Sequence, residues 1–306
     1  MITWVIGSGG LLGSAVARHC GDRYKPGPVP WADPEQAREV LHNQARGFEK
    51  WAGDQPWRVI WAAGSATTST PRDEAMSELE PLTGVLTGLR SALPSGPGVF
   101  FLTSSAGGVY AGSTHPPFST QTAPVPLSAY GELKLAQEAM AIDLLGHLVP
   151  VVIGRISNLY GPGQNLDKLQ GLISHLAMAA VTRQPVNIFV PLDTTRDYIF
   201  VNDAAEAILA LTHAHRDIHS RTEIIATGRG TTIGQLVRTM NEIAKRKVPV
   251  ALGTHASASA QAVDLRLNPG VDLATITPLA VGMKAVYLDL LTRAQNPSQT
   301  GVALTR

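Results

Sequence analysis

Apolar and polar positions follow two rhythms along this chain, and their order predicts strands alternating with helices. Ile2-Thr3-Trp4-Val5-Ile6 is a short apolar run, followed by glycines and then by Leu11 to Cys20 with helical content. That reads as strand, tight turn, helix. Asp22 to Pro34 is rich in proline and carries a poor strand signal. Asp33 suits the N-cap of a helix from Pro34 to Trp51, with Pro34 at its first position. Trp57 to Ala63 reads as a strand ending at Gly64, and Asp73 to Leu93 as one helix ended by Pro94. Val99 to Thr103 is a buried-type strand running into Ser104-Ser105. A proline-containing loop, Gly112 to Pro126, then leads to a helix from Tyr130 to Leu145. Further on, strands are expected at Val149 to Ile156 (ending near Asn158), Val186 to Val190 and Glu223 to Ala226. Helices are expected at Leu169 to Val181, Val201 to His213, Ile233 to Ala244 and Leu279 to Arg293. Ala256 to Ala260 reads as loop, and residues 296–306 as a flexible tail.

Composition narrows the classes available to such a chain. Of 306 residues, 44% are apolar and 16% charged, which provides a sizeable core and argues against disorder. The net charge is +1 with no basic block and no acidic tail, so no nucleic-acid partner is expected. Cys20 is the single cysteine and reads as a small buried residue in a helix; a disulfide is excluded and a cytoplasmic setting expected. No run of 18 apolar residues suggests a membrane span. The apolar start, Met1 to Val16, lacks the basic flank of a signal peptide.

Gly7, Gly10 and Gly13 are spaced three apart, directly after a strand and opening a helix. Glycine allows the backbone angles of such a turn and a close approach to a pyrophosphate, while the helix N-terminus offers free N–H groups. The strict Gly-x-Gly-x-x-Gly spacing fails at Leu12, but the Gly-x-x-Gly-x-x-Gly variant is met. The alternation of elements then argues for an α/β fold: a Rossmann-type doubly wound parallel sheet with a smaller C-terminal substrate-binding lobe. The dinucleotide-binding part takes residues 1–160 with 191–227 returning to it, and the smaller lobe takes 161–190 and 228–295. Candidate cofactor contacts are Gly7, Gly9, Gly10, Leu11, Leu12 and Gly13 at the turn, Ala62, Ala63 and Gly64 after the second apolar strand, and Thr103. The carboxylate expected to hold the adenosine ribose is missing from Tyr24 to Trp31. Arg23 and Lys25 nearby either face a 2′-phosphate, favouring NADP, or are solvated surface charges. NAD is the expected cofactor, with NADP the alternative.

Tyr130 and Lys134 stand at i and i+4 on a predicted helix and share one face. A phenol titrates near 10, and a neighbouring ammonium is expected to lower that value and to reach the nicotinamide ribose. The pair lies 25 residues after Ser105, at a strand end where open α/β sheets bind ligands. Ser105 is the candidate partner for the reacting oxygen, with Ser104 its rival. Loop capping is the alternative role for either serine.

Four stretches carry a resemblance. They are Gly7-Ser-Gly-Gly-Leu-Leu-Gly13, Leu102-Thr-Ser-Ser-Ala-Gly-Gly-Val-Tyr110, Tyr130-Gly-Glu-Leu-Lys134, and Arg155-Ile-Ser-Asn-Leu-Tyr-Gly-Pro-Gly-Gln164 followed by Arg196-Asp-Tyr-Ile-Phe-Val-Asn-Asp203. Together they resemble an extended short-chain dehydrogenase/reductase of the NAD-dependent epimerase/dehydratase family, in its nucleotide-sugar branch. The resemblance implies Ser105, Tyr130 and Lys134 as the catalytic set, with Tyr130 and Lys134 also meeting the cofactor. Ser104, Ser105, Asn158 and Arg196 would meet the substrate, with Arg196 a phosphate contact unless it pairs with Asp193 or Asp197. The family's threonine before the first glycine is Ile6 here, and the region before Trp57 is shortened. Its late phosphate-binding arginine is lacking between His255 and Asp264, with Arg266 the nearest substitute.

A dehydratase carries an Asp-Glu pair after the catalytic hydroxyl residue, where this chain has Ala106-Gly107, so that chemistry is disfavoured. An epimerase acting through a transient 4-keto sugar is preferred over an NADPH-dependent keto-sugar reductase. A dinucleotide sensor without catalysis is the non-enzymatic alternative. His213, His215 and His219 read as an exposed helix end, and no metal is expected. Trp4, Trp57 and Trp61 read as core or pocket wall, and Tyr110 and Tyr160 as substrate-packing or structural residues. A homodimer is expected through the Tyr-x-x-x-Lys helix, with Leu133, Leu135, Ala136 and Met140 its apolar residues.

Overall fold

Strands that are apolar on both faces must be covered on both faces, and that requirement organises this chain. The computed structural model describes residues 1–166, 170–213, 219–253, 261–273 and 275–295. In chain order its first half comprises β1 (Ile2–Ile6), α1 (Leu11–Arg18), α2 (Pro34–Ala52), β2 (Trp57–Trp61), α3 (Arg72–Met76), α4 (Leu79–Ser91), β3 (Gly98–Ser105), α5 (Ala106–Val109), α6 (Ala129–Leu145) and β4 (Val151–Ile156). The second half comprises β5 (Asn158–Tyr160), α7 (Leu172–Thr182), β6 (Val186–Ile188), β7 (Thr195–Phe200), α8 (Val201–Leu211), β8 (Arg221–Ile225), β9 (Gly230–Thr232), α9 (Ile233–Ala244), β10 (Val250–Leu252), β11 (Asp264–Leu265) and α10 (Leu279–Gln295).

Five parallel strands form the main sheet in the order β1-β2-β3-β4-β8. Ile6 lies opposite Trp61, Trp61 opposite Leu102, and Ser105 opposite Ile156, so the carboxyl ends line up along one edge. On one face Trp4, Trp57, Trp61, Phe100 and Leu102 pack with Leu41 and Phe48 of α2, Leu82 and Leu86 of α4 and Leu145 of α6. On the other face Ile60, Phe101 and Val152 pack with Val16 of α1 and Ala204 and Ile208 of α8. The sheet is doubly wound, as the alternation of elements implied, and the three tryptophans are core. Cys20 is buried just beyond α1, its Sγ 3.1 Å from the Val16 carbonyl oxygen.

A further core joins Leu176 of α7, Leu236 and Met240 of α9, and Met283 and Leu290 of α10. Beside it β6 and β10 pair in parallel, while β7 is flanked by β5 and β11 in parallel and by antiparallel β9. α10 closes over the start of this region: Asp289 accepts the Gly163 N–H at 3.1 Å, and Tyr160 lies against Gly282 with no room for a side chain there.

Three features differ from the pattern reading. The second strand is a single parallel bridge between Thr3 and Arg23, closed by Thr3 N–H to Asp22 O and Tyr24 N–H to Thr3 O. Pro26, Pro28 and Pro30 follow, and prolines cannot donate to a ladder. The helix expected from Asp73 to Leu93 is two helices, α3 and α4, broken at Ser77-Glu78. Pro81 is the physical reason: it lacks an N–H and its ring crowds the carbonyl four residues back, so it fits only the first turn of a new helix. The short strands β5, β7, β9 and β11 carry no pattern of their own. His215, the stretch Ala256 to Ala260, Leu169 and residues 296–306 lie outside the described residues. Among the described residues, no helix is long and apolar enough to cross a membrane.

Candidate active site

The glycine turn is built by contact. Gly7 has φ +86°, and a Cβ there would lie 2.6 Å from the Ala63 nitrogen; a Cβ on Gly13 would lie 2.2 Å from the Gly7 oxygen. Both positions demand glycine for the chain's own packing. Gly9 faces open space. Gly10 caps α1 without a side-chain acceptor, and the first turn holds no acid. The first-turn N–H groups of Leu11, Leu12 and Gly13 therefore meet no capping side chain among the described residues. This cradle suits a diphosphate, so the residues present fit a dinucleotide.

At the end of β3, strand alternation separates the two serines. Ser104 turns to the α6 face, where its hydroxyl donates to Glu138 Oε1 at 2.5 Å. Ser105 turns to the crevice, accepts the Gly108 N–H at 3.1 Å as N-cap of α5, and lies close enough to Tyr130 for its hydroxyl to favour the phenolate. Loop capping and a place beside the phenol are thus combined in Ser105. Gly108 allows this approach: a Cβ there would lie 3.0 Å from Tyr130 Cε1.

Lys134 shares the Tyr130 face of α6, its Nζ 5.6 Å from the phenol ring centroid, and donates to Gln137 Oε1 at 3.0 Å. The expected acidification of the phenol is not what the local environment produces. Burial pushes the Tyr130 pKa up, the Ser105 hydroxyl draws it back, and the charge of Glu78 adds to the rise. Burial pushes the Lys134 pKa down, while Glu78 and Glu138 oppose that shift.

A cavity of about 870 Å³ opens at this edge, with Leu12, Ala62, Thr103, Ser105 and Tyr130 on one wall and Asn158, Tyr160 and Arg196 further along. Arg196 is buried and forms no ion pair with Asp193 or Asp197 among the described residues. Its Nη1 donates to the carbonyls of Thr195 and Val263, while Asp197 accepts from Thr227 and Arg229. Asp264 attracts Arg196 from a distance but is itself paired with Arg266, so a buried guanidinium with no ion pair among the described residues is left on the cavity wall, suited to an anionic ligand. Arg266 is paired with Asp264 at 2.8 Å instead of facing the cavity. Thr103 Oγ1, Ser157 Oγ and Asn158 Nδ2 are buried without a hydrogen-bond partner among the described residues, and all three residues line the cavity. Arg23 is half-buried beside β1 and Lys25 is exposed. Tyr110 is structural: its hydroxyl donates to Ser119 O and accepts from Arg155.

Four residues in and around the site were given no role by the sequence reading. Ser157 is one, visible only as a polar residue after a buried strand. The others are Glu78, which meets the Ser65–Ala66 loop from the helix break, and the buried pair of Glu138 and Arg155 behind Lys134. The spacing of Glu138 four residues after Lys134 was the available signal for the pair.

A sequence profile of the NAD dependent epimerase/dehydratase family matches residues 3–226. The chain belongs to that family. Relatives of this family member include the dTDP-4-dehydro-6-deoxyglucose reductase of Escherichia coli, 28% identical over 171 residues, which cover 53% of this chain and 52% of that protein. The UDP-glucose 4-epimerase of Azospirillum brasilense is 33% identical over 161 residues, covering 48% of this chain and 46% of that protein. The chain thus spans about half the length of these relatives. The UDP-glucose 4-epimerase of Thermus thermophilus, in complex with NAD, superposes with a TM-score of 0.73 at 20% identity, covering 95% of this chain and 99% of that one. The UDP-glucose 4-epimerase of Thermotoga maritima, with UDP-glucose, gives 0.76 at 21% identity, covering 96% and 99%. At such identity these likenesses establish the shared Rossmann-type fold.

Proposed function

We propose that this family member is an NAD-dependent nucleotide-sugar epimerase acting through a transient 4-keto sugar. The observation that carries the reading is one cavity lined by Ser105 and Tyr130 beside the end of β3 and by the buried guanidinium of Arg196 further along. A sugar diphosphate has a hydroxyl for the first and an anion for the second. NAD, when bound, supplies the hydride acceptor and donor and a positive charge that favours the phenolate. Gly7, Gly9, Gly10, Leu11, Leu12 and Gly13 hold its diphosphate, with Ala62, Ala63, Gly64 and Thr103 along its path and Lys134 at its ribose. Ser105 orients the sugar hydroxyl. With NAD bound to take and give back the hydride, Tyr130 would take the hydroxyl proton as the sugar carbon is oxidised and return it as the turned ring is reduced on its other face. Asn158 and Arg196 hold the diphosphate of the substrate. In this reading residues 1–160 and 191–227 bind the dinucleotide, and 161–190 with 228–295 bind the sugar nucleotide.

NAD is favoured over NADP because Lys25 is solvated and Arg23 is tied to β1 through its backbone. The subunit pairs through α6, where Leu135 and Ala136 are half-buried and Ile142 is 44% exposed. Leu133, fully buried within the subunit, takes no part. A cytoplasmic setting agrees with the single buried thiol.

The test is direct. The protein incubated with UDP-glucose or dTDP-glucose and NAD is expected to form the 4-epimer, read from sugar proton NMR, with deuterium placed at C4 retained in the product. The match to the reductase from Escherichia coli favours a second reading, a keto-sugar reductase, which would instead consume NADPH with a 4-keto sugar nucleotide. Turnover of neither kind, with no dinucleotide binding by calorimetry, would sink both.

A further inference from the structure

The break at Ser77-Glu78 aims a carboxylate at the loop that follows β2. Glu78 Oε1 accepts from the Ser65 N–H at 2.5 Å, the Ser65 hydroxyl at 3.0 Å and the Ala66 N–H at 2.7 Å. These bonds fasten the loop that follows Ala62, Ala63 and Gly64 to the corner between α3 and α4. Both of those helices pack against α6, and Arg72 of α3 pairs with Glu132, two residues beyond Tyr130. Glu78 therefore stands between the cofactor-side loop and the helix that carries Tyr130 and Lys134.

Two carboxylates act on Lys134, and their circumstances differ. Glu138 is neutralised by Arg155, whose Nη2 and Nε reach it at 2.6 and 3.0 Å. Glu78 has no lysine or arginine partner among the described residues, and every donor to it is uncharged. We propose that Glu78 is a positioning residue for the Tyr130–Lys134 pair. It clamps the Ser65–Ala66 loop and supplies the uncancelled negative charge against which buried Lys134 is held as a cation. The proposal rests on the reading of that pair as catalytic.

The groups facing Lys134 are Tyr130, Gln137 and Glu138 on its own helix, Glu78 from the α3–α4 corner, and Arg155 of β4 beyond Glu138. Burial lowers the affinity of the ammonium for its proton; Glu78 opposes that and also resists loss of the phenol proton of Tyr130. The carboxylate thus favours the protonated form of both members of the pair.

Two variants separate charge from clamp. Glu78→Gln keeps an oxygen for Ser65 and Ala66 and removes the charge; Glu78→Ala removes both. In cofactor-free protein with carbon-13-labelled lysine, Lys134 is assigned by Lys134→Arg and its side-chain resonance titrated by NMR. Both variants are expected to move the Lys134 midpoint down by ~0.5 pH unit or more. Glu78→Gln should melt close to wild type and Glu78→Ala clearly lower, and the alkaline limb of kcat in Glu78→Gln should move with the midpoint. A Lys134 midpoint unmoved in Glu78→Gln overturns the charge, and Glu78→Gln melting as low as Glu78→Ala overturns the clamp. A shifted midpoint in a protein without turnover faults the assigned reaction; an unmoved midpoint in a protein with turnover faults Glu78.

Discussion

Tyr130 and Lys134 answer to opposite demands, and the pH dependence of the protein separates them. The folded phenol titrates above its ordinary value of 10.0 because it is buried. Its contribution to stability is whole below that value and lost as pH rises through the higher folded one. The folded lysine titrates below 10.5, again through burial. Its contribution is whole above 10.5 and lost as pH falls through the lowered value, so at neutral pH the buried cation costs stability. Lys134→Met is therefore expected to melt no lower than wild type at neutral pH, and to lose that standing as pH nears 10.5, while turnover collapses. Tyr130→Phe should lower kcat by roughly 100-fold to 10,000-fold with NAD affinity intact, since the lost hydroxyl handles a proton and not the dinucleotide. Gly9→Ala makes a cleaner test of the cofactor cradle. Its Cβ would meet nothing in the protein, so thermal melts should match wild type while calorimetry shows NAD bound at least ~10-fold more weakly.

At the scale of elements, the pair of Glu138 and Arg155 joins α6 to β4, with side chains 7% and 9% exposed. Removing one partner leaves the other charge buried. Glu138→Ala is expected to cost about 3–5 kcal/mol in urea denaturation, more than the double replacement of Glu138 and Arg155 by apolar residues. Much of this scale was legible in the sequence, because β1 to β4 and the longer helices announce themselves by apolar runs and by glycine and proline at their ends. Asp33 does cap α2, accepting the Gln36 N–H at 3.0 Å. What stayed hidden depends on distant partners. β7 exists because β5, β9 and β11 lie beside it, and a short segment cannot state that alone. Glu78 reads as an ordinary helix acid until Pro81 is recognised as a helix start. Ser104 and Ser105 were separable by strand alternation, but only once the last residue of β3 was known.

For the whole molecule, ligand binding and self-association are the measurable consequences. NAD at about 100 times its dissociation constant should add about 2.7 kcal/mol to stability and raise the melting temperature accordingly. Ile142→Glu, on the outward side of α6, should shift sedimentation from dimer to monomer, with the single-subunit fold intact by circular dichroism. The flank of β1 has a quieter consequence. Where another open sheet would offer a row of unpaired amides and carbonyls to any passing strand, this one presents a single bridge and then prolines. That border refuses strand addition, so on this side the chain carries its own guard against polymerising edge to edge.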